Sequence, residues 1–321
     1  MPGPTRVAAI DVGTNTVLLL VAERRGERID PLAERAEITR LGRGVDATGR
    51  LDPAAIAETV RVLAAFAAEA RALGAAPIAC VATSAARDAS NGAEFFEAAR
   101  AAAGLAPAVI SGEEEARLVW RSAFRDFGGP AGPPPLPASS ALAVLDVGGG
   151  STEFTFGDAP APRGRRSLQV GAVRLTERHV REDPIGPATL ATLRAAAAAA
   201  LGPLAGFGGL GELGGARLVG VAGTVTTLSA VAQALPAYDA ARVHGATLRR
   251  EEVEELLARL AALPLAVRAR LPGMEPKRAD VIVAGAAIVA EAMRLTGFDR
   301  LTVSDRGVRW GLVHDLLEGA G

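Results

Sequence analysis

Short apolar runs of strand length alternate along the chain with Ala/Leu/Arg stretches of helical period, the pattern of an α/β architecture. In the first part VAAID, TVLLLVAE, PIACVAT and PAVI predict strands, and residues 53–73, 91–103 and 113–127 predict helices. Residues 128–140, GGPAGPPPLPASS, suit neither a helix nor an inner strand, because proline removes donors and glycine adds freedom, so they predict a linker. Beyond it ALAVLD, TEFTFG and LVGVAG predict strands, and helices are expected near residues 187–204, 226–235, 250–263 and 278–295. Two α/β lobes follow: residues 1–127 rejoined by about 306–321, and residues 128–305.

Composition narrows the function classes. With 321 residues, 49% hydrophobic, 22% charged and a net charge of −1, the chain can bury two cores but carries no basic excess for nucleic acid or membrane. A polyanion would have to be gripped locally. All but one of the 35 basic residues are arginine, whose planar fork holds phosphate oxygens in pairs. The single cysteine, Cys80, lies in an apolar run and reads as a small buried hydrophobe; His179, His244 and His314 are scattered and read as structural. The N-terminus has no basic segment followed by a long apolar one, so a cytoplasmic protein is expected. Gly209, Gly211 and Gly214 match G-x-G-x-x-G but stand ahead of a strand, where a dinucleotide fingerprint does not belong, and no P-loop motif occurs.

One device occurs twice. AAIDVGTNTVLLLV from Ala8 and AVLDVGGGSTEFTF from Ala143 share a strand, Asp-Val-Gly, a small polar turn and a second strand. Each copy delivers an acid, Asp11 or Asp146, at a strand end. Each then offers a turn without bulk, Gly13, Thr14 and Asn15 or Gly148, Gly149, Gly150, Ser151 and Thr152, whose N–H groups can wrap a phosphate. Either copy alone reads equally well as a plain hairpin. In the second copy alternation sends Phe154 and Phe156 to the core and displays Glu153 beside Asp146. Acids next to phosphate loops repel a phosphate unless a divalent cation lies between them, and Mg²⁺ favours such oxygen ligands.

ATSAARDASN, ISGEEEARLVW, LDVGGGSTEF, GAVRLTERH, GVAGTVTTL, EPKRADVIVAGA and VSDRGVRWG stand in this order along the chain. The two hairpins resemble the actin-like and sugar-kinase superfamily, and the ordered motifs resemble the exopolyphosphatase/guanosine pentaphosphate phosphohydrolase family. The resemblance implies two ribonuclease H-like lobes with a phosphate-binding cleft between them. It also implies metal-dependent hydrolysis of terminal phosphoanhydride bonds in polyphosphate or guanosine pentaphosphate. Glu115, directly before Ala-Arg, is then the water-activating base. From the residues alone Glu115 reads equally as an acid facing a helix dipole, as Glu113 does, while Ser111 and Glu114 have the spacing of a capping box. Arg87 is a candidate phosphate clamp, and Gly223 with Thr224 open a helix whose free N–H groups suit an anion. Arg278 and Asp280 recur in the family motif, with pocket and packing roles both open.

The expected catalytic set is therefore Glu115, Asp146 and Glu153, with Mg²⁺ on Asp146 and Glu153 and Asp11 nearby. A homodimer is one admissible state. Trp310 stands where the family pattern has an acid, and the chain ends without the additional helical domain of longer members. With only Arg163, Arg165 and Arg166 as a dense basic cluster, distributive cutting of long chains is expected. Two rivals stay open: an ATP-dependent kinase of the same superfamily, marked by phosphorylation of an acceptor, and a non-catalytic guanosine pentaphosphate sensor, marked by binding without phosphate release.

Overall fold

A computed structural model describes residues 5–128, 141–207 and 216–319. The expected linker from residue 129 to 140 and the Gly209, Gly211 and Gly214 motif lie outside the described residues. In chain order the strands are β1 Thr5–Val12, β2 Thr16–Arg25, β3 Arg28–Ile38, β4 Ile78–Ala82, β5 Ala108–Val109, β6 Leu142–Val147, β7 Thr152–Gly157, β8 Gly164–Leu168, β9 Arg217–Val221, β10 Thr247–Arg249 and β11 Arg300–Val303. The helices are α1 Val45–Thr48, α2 Pro53–Ala72, α3 Ser84–Asp88, α4 Gly92–Ala103, α5 Gly112–Phe127, α6 Ala172–His179, α7 Pro187–Ala200, α8 Ala222–Ala232, α9 Ala240–Val243, α10 Arg250–Ala262, α11 Leu265–Arg268, α12 Ile282–Thr296 and α13 Val308–Glu318. The chain divides into two compact units, Met1–Leu118 with Val308–Gly321, and Val119–Gly307, the first crossing falling inside α5.

In the first unit the sheet runs β3-β2-β1-β4-β5. The β1–β2–β3 meander is antiparallel, and β4 and β5 join in parallel, each parallel step crossing over through helices as it must. Alternation along β1 splits its side chains. Ala8, Ile10 and Val12 enter the core under α2 and α4, whereas Val7 and Ala9 meet Leu20, Ala22 and, from α13, Trp310, Val313 and Leu317. Trp310 therefore fills a second, smaller core, which explains how an aromatic can stand at a place where an acid was expected. Asp52 caps α2, accepting from the Ala54 and Ala55 amides, and Pro53 takes the first helical position where its missing N–H is harmless. The sequence pattern does not show β3, because it is an exposed edge strand with Pro31 opposite a register shift in β2.

The second unit repeats the plan as β10-β11-β9-β6-β7-β8, the order 3-2-1-4-5 being recovered with β10 added at the edge. Both sheets thus have the ribonuclease H-like arrangement that the resemblance implied. β6 and β9 are buried along their whole length, which matches their unbroken apolar character. Helix α12 is almost entirely buried in the main core, which it shares with Leu145, Phe154, Leu218 and Val225. Among the described residues no helix is long and apolar enough to cross a membrane.

Candidate functional site

The two hairpin loops are held in the same way. In the first, the Gly13 amide donates to the Thr16 carbonyl at 3.0 Å and closes the turn. The Asn15 carbonyl accepts from the Thr39 and Arg40 amides at 3.1 and 3.0 Å, and the Thr14 carbonyl accepts from Gly42 at 2.8 Å. In the second, the Gly148 amide donates to Ser151 at 3.0 Å. The Gly148 carbonyl accepts from Ala172 at 2.9 Å and the Gly149 carbonyl from Val173 and Arg174 at 2.9 and 3.2 Å. The Arg174 Nε–H donates to the Gly150 carbonyl at 2.9 Å. Both loops thus have their carbonyl edge tied to a neighbouring segment, and a loop whose carbonyls are turned to one side presents amides on the other.

Close packing makes this geometry specific to small residues. A Cβ on Gly13 would lie 3.1 Å from the Thr16 carbonyl, and one on Gly148 3.0 Å from that of Ser151. Neither glycine takes a positive φ, so room and not handedness sets the requirement at these two positions. A Cβ on Gly171 would overlap the Gly149 carbonyl, and one on Gly42 would overlap Thr14 Cγ2. The supporting segments, Thr39 to Gly42 and Gly171 to Arg174, were not read as parts of the site from sequence. Gly42 stands in a polar stretch, as glycines of many surface loops do, and Gly171 opens the motif GAVRLTERH, to which no site role was given.

Asp11 and Asp146 end β1 and β6 as expected, and both are buried. Asp146 pairs directly with Glu153 across the β6–β7 ladder, so the two carboxyls project from the same face of the sheet. Glu153 Oε1 accepts from Ser167 Oγ at 2.8 Å. Burial pushes the Asp146 carboxyl up from an ordinary 3.8 to about 6. Phe154, on the opposite face, is in the core, and Phe156 packs against it. Two adjacent buried carboxylates fit a Mg²⁺ ion that keeps part of its water shell. Among the described residues no group of three or more His, Cys, Asp or Glu side chains is placed to hold a metal ion.

Glu115 lies in the first turn of α5, nine-tenths buried, with Oε2 3.9 Å from Arg87 Nη1. Arg87 Nη1 donates to the Ile110 carbonyl at 3.0 Å, while its Nη2 is buried with no hydrogen-bond partner among the described residues. Ser111 Oγ accepts from the Glu114 amide at 3.1 Å, so the expected N-cap is made. The reciprocal half of the box is replaced: Glu114 receives Arg117 at 2.8 and 2.7 Å, and Arg117 also bonds Asp315.

Other expected site residues divide. Ser151 is buried beside Asp146's strand end, and the Gly149–Gly150 turn lies over Gly171. Thr152 lies beneath the loop, fully buried, and its hydroxyl donates to the Val170 carbonyl at 2.6 Å. The Thr152 side chain thus braces the loop. Gly223 and Thr224 occupy the first turn of α8, entered through Ala222 at φ 70°. A Cβ on Gly223 would overlap the Arg278 guanidinium, and Thr224 packs against Gly285 of α12. Arg278 therefore rests on the positive end of a helix dipole, and desolvation lowers its pKa below the usual arginine range. An anion beside that turn would relieve both effects. The arginine cluster is engaged locally: Arg163 pairs with Asp158, and Arg166 lies 6.0 Å over the Phe207 ring. Cys80 is buried, and its thiol is pushed up to about 12 by burial, then by Asp11. His244 Nδ1 stands 3.0 Å from Asp305 Oδ1 against Phe127, a packed position as expected of it.

The model of the Ppx/GppA phosphatase family matches residues 20–320. Exopolyphosphatase 2 of Mycobacterium tuberculosis is 41% identical, over 98% of this chain and 97% of its own. Exopolyphosphatase 1 of the same species is 31% identical over 96% and 87%. The crystal structure of the Aquifex aeolicus member of the Ppx/GppA protein family is 31% identical, covers 99% of this chain and 100% of its own, and superposes with a TM-score of 0.80.

Proposed function

Because this chain belongs to the Ppx/GppA phosphatase family, we propose that it hydrolyses the terminal phosphoanhydride bond of inorganic polyphosphate, with guanosine pentaphosphate as a second substrate. The observation that carries this reading is the pair of loops with tied carbonyls, each beside a buried aspartate. Phosphoryl transfer asks for placement and charge stabilisation more than covalent help, and amide cradles supply both.

In the second unit the amides of the Gly148–Ser151 loop other than that of Gly148, which closes the turn, bind phosphate oxygens, and Asp146 with Glu153 would hold Mg²⁺. When bound, that ion neutralises phosphate charge and lets an anionic substrate approach two carboxylates. In the first unit the Gly13–Asn15 loop binds phosphate oxygens and Arg87 offers its buried Nη2 to another. Glu115 takes the proton of the attacking water and orients it toward the terminal phosphorus. Arg87 Nη1 stands 3.9 Å from the Glu115 carboxylate. Gly223, Thr224 and Arg278 bind a further anionic group.

The test is phosphate release measured side by side from long polyphosphate, tripolyphosphate and guanosine pentaphosphate with Mg²⁺. Release from one or more supports the reading. ATP-dependent phosphorylation of an acceptor without hydrolysis, or tight binding with no release, would overturn it.

A further inference from the structure

Thr39 follows β3 directly, and the β2–β3 register, Thr16 opposite Ile38, places it opposite Asn15 when carried one step further. The Thr39 amide confirms the placement, donating to the Asn15 carbonyl at 3.1 Å. Thr39 is 5% exposed and Asn15 8%, yet Thr39 Oγ1 and Asn15 Nδ2 have no hydrogen-bond partner among the described residues. A buried polar atom left unpaired destabilises a fold, and valine would fill the threonine volume without a hydroxyl. Two such atoms on opposed residues of a loop ask for a missing partner.

The chemistry of that partner follows from the atoms. An amide nitrogen only donates, and a hydroxyl can donate as well. The amide nitrogen turns away a cation, and an oxyanion is the partner that suits both groups. The backbone is set for the same purpose. Arg40 adopts φ 55°, a left-handed conformation that strains a non-glycine residue, and its amide joins that of Thr39 on the Asn15 carbonyl. Strain of this kind is kept where the surrounding structure holds a functional loop in place.

We propose that Thr39 is a further substrate-binding residue, its hydroxyl gripping, together with the Asn15 side-chain amide, an oxygen of a phosphate chain bound at the first hairpin loop. This rests on the phosphate-loop reading of Gly13–Asn15 given above.

The experiment titrates Mg²⁺–tripolyphosphate into the full-length wild type, Thr39→Val and Thr39→Ser, with steady-state kinetics on polyphosphate and a melting temperature for each. A hydrogen bond to a charged oxygen predicts that Thr39→Val raises Kd and KM roughly tenfold to a hundredfold. The melting temperature is expected to hold or rise, since no protein group loses a partner, and Thr39→Ser is expected to restore affinity. Thr39→Val binding as the wild type does, or Thr39→Ser binding as weakly as Thr39→Val, would remove Thr39 from the site while wild-type turnover keeps the loop reading intact. A Thr39→Val protein that melts much lower or fails to fold would mean the hydroxyl serves the free protein, which also overturns the proposal. A wild type that binds no tripolyphosphate would take down the loop reading as well.

Discussion

Replacing Asp146 by asparagine should make the metal-free protein more stable at neutral pH while removing its turnover. Burial beside Glu153 raises the Asp146 carboxyl from an ordinary 3.8 to about 6. A folded pKa above the unfolded one means that the native state holds the proton more tightly. This group's contribution is thus fully present below the unfolded value and is lost as pH rises through the folded one. The difference between the two values corresponds to roughly 3 kcal/mol of destabilisation once both states are ionised. Asparagine has no charge to bury and escapes most of that. At about 2–4 °C per kcal/mol for a domain of 150–250 residues, the gain is on the order of 5–10 °C. Calorimetry in excess chelator at about pH 4 and about pH 8 reads it, with the gain expected only at the higher pH. Saturating Mg²⁺ should narrow or invert the difference, because only the wild type gains linkage stabilisation from the ion. A variant that melts below the wild type at both pH values in chelator would show that Asp146 stabilises the fold through its contacts, and the burial reasoning would fail.

Glu115→Gln should keep the fold and lower kcat by roughly 10²–10⁴, the usual worth of a positioned base, and a folded variant with wild-type kcat would exclude Glu115 from that role. Gly171→Val should disable the second loop, because a side chain there would overlap the Gly149 carbonyl; a tripolyphosphate titration beside circular dichroism checks it, and unchanged affinity would refute it. Excess chelator should stop phosphate release without unfolding the protein, which activity and a melting curve on one sample decide.

The alternation of TEFTFG was enough to put Glu153 beside Asp146 and Phe154 in the core, because period two fixes the face of every side chain once a hairpin is recognised. Helices α2 and α5 were equally legible from their helical period, the start of α5 being marked by Ser111 and its buried stripe by Val119, Trp120 and Ala123. Edge elements were not. β3 carries exposed charges and a proline, so nothing in its own residues separates it from a loop until β2 is seen to pair with it. Helix α8 runs from Ala222, four residues ahead of residue 226, and its first turn is the one that Gly223 and Thr224 were expected to open.

The site shows the same division at finer grain. Asp11, Asp146 and the small residues between paired strands could be found because the device is local and occurs twice. What holds each loop comes from elsewhere in the chain: Thr39 to Gly42 for the first, Gly171 to Arg174 for the second. A hydrogen bond from a distant amide to a loop carbonyl requires no particular side chain, so it leaves no residue type to read. Only where the contact is too close for a Cβ, at Gly42 and Gly171, does it leave a glycine behind. The two loops use unrelated supports, a continuation of β3 in one unit and the start of α6 in the other, to reach one arrangement of tied carbonyls. A repeat search therefore finds the loops and passes over their supports. Side chains introduced at Gly42 or Gly171 should then weaken phosphate binding as strongly as substitutions in the loops themselves, and a tripolyphosphate titration that finds wild-type affinity in a folded Gly42→Val protein would refute this.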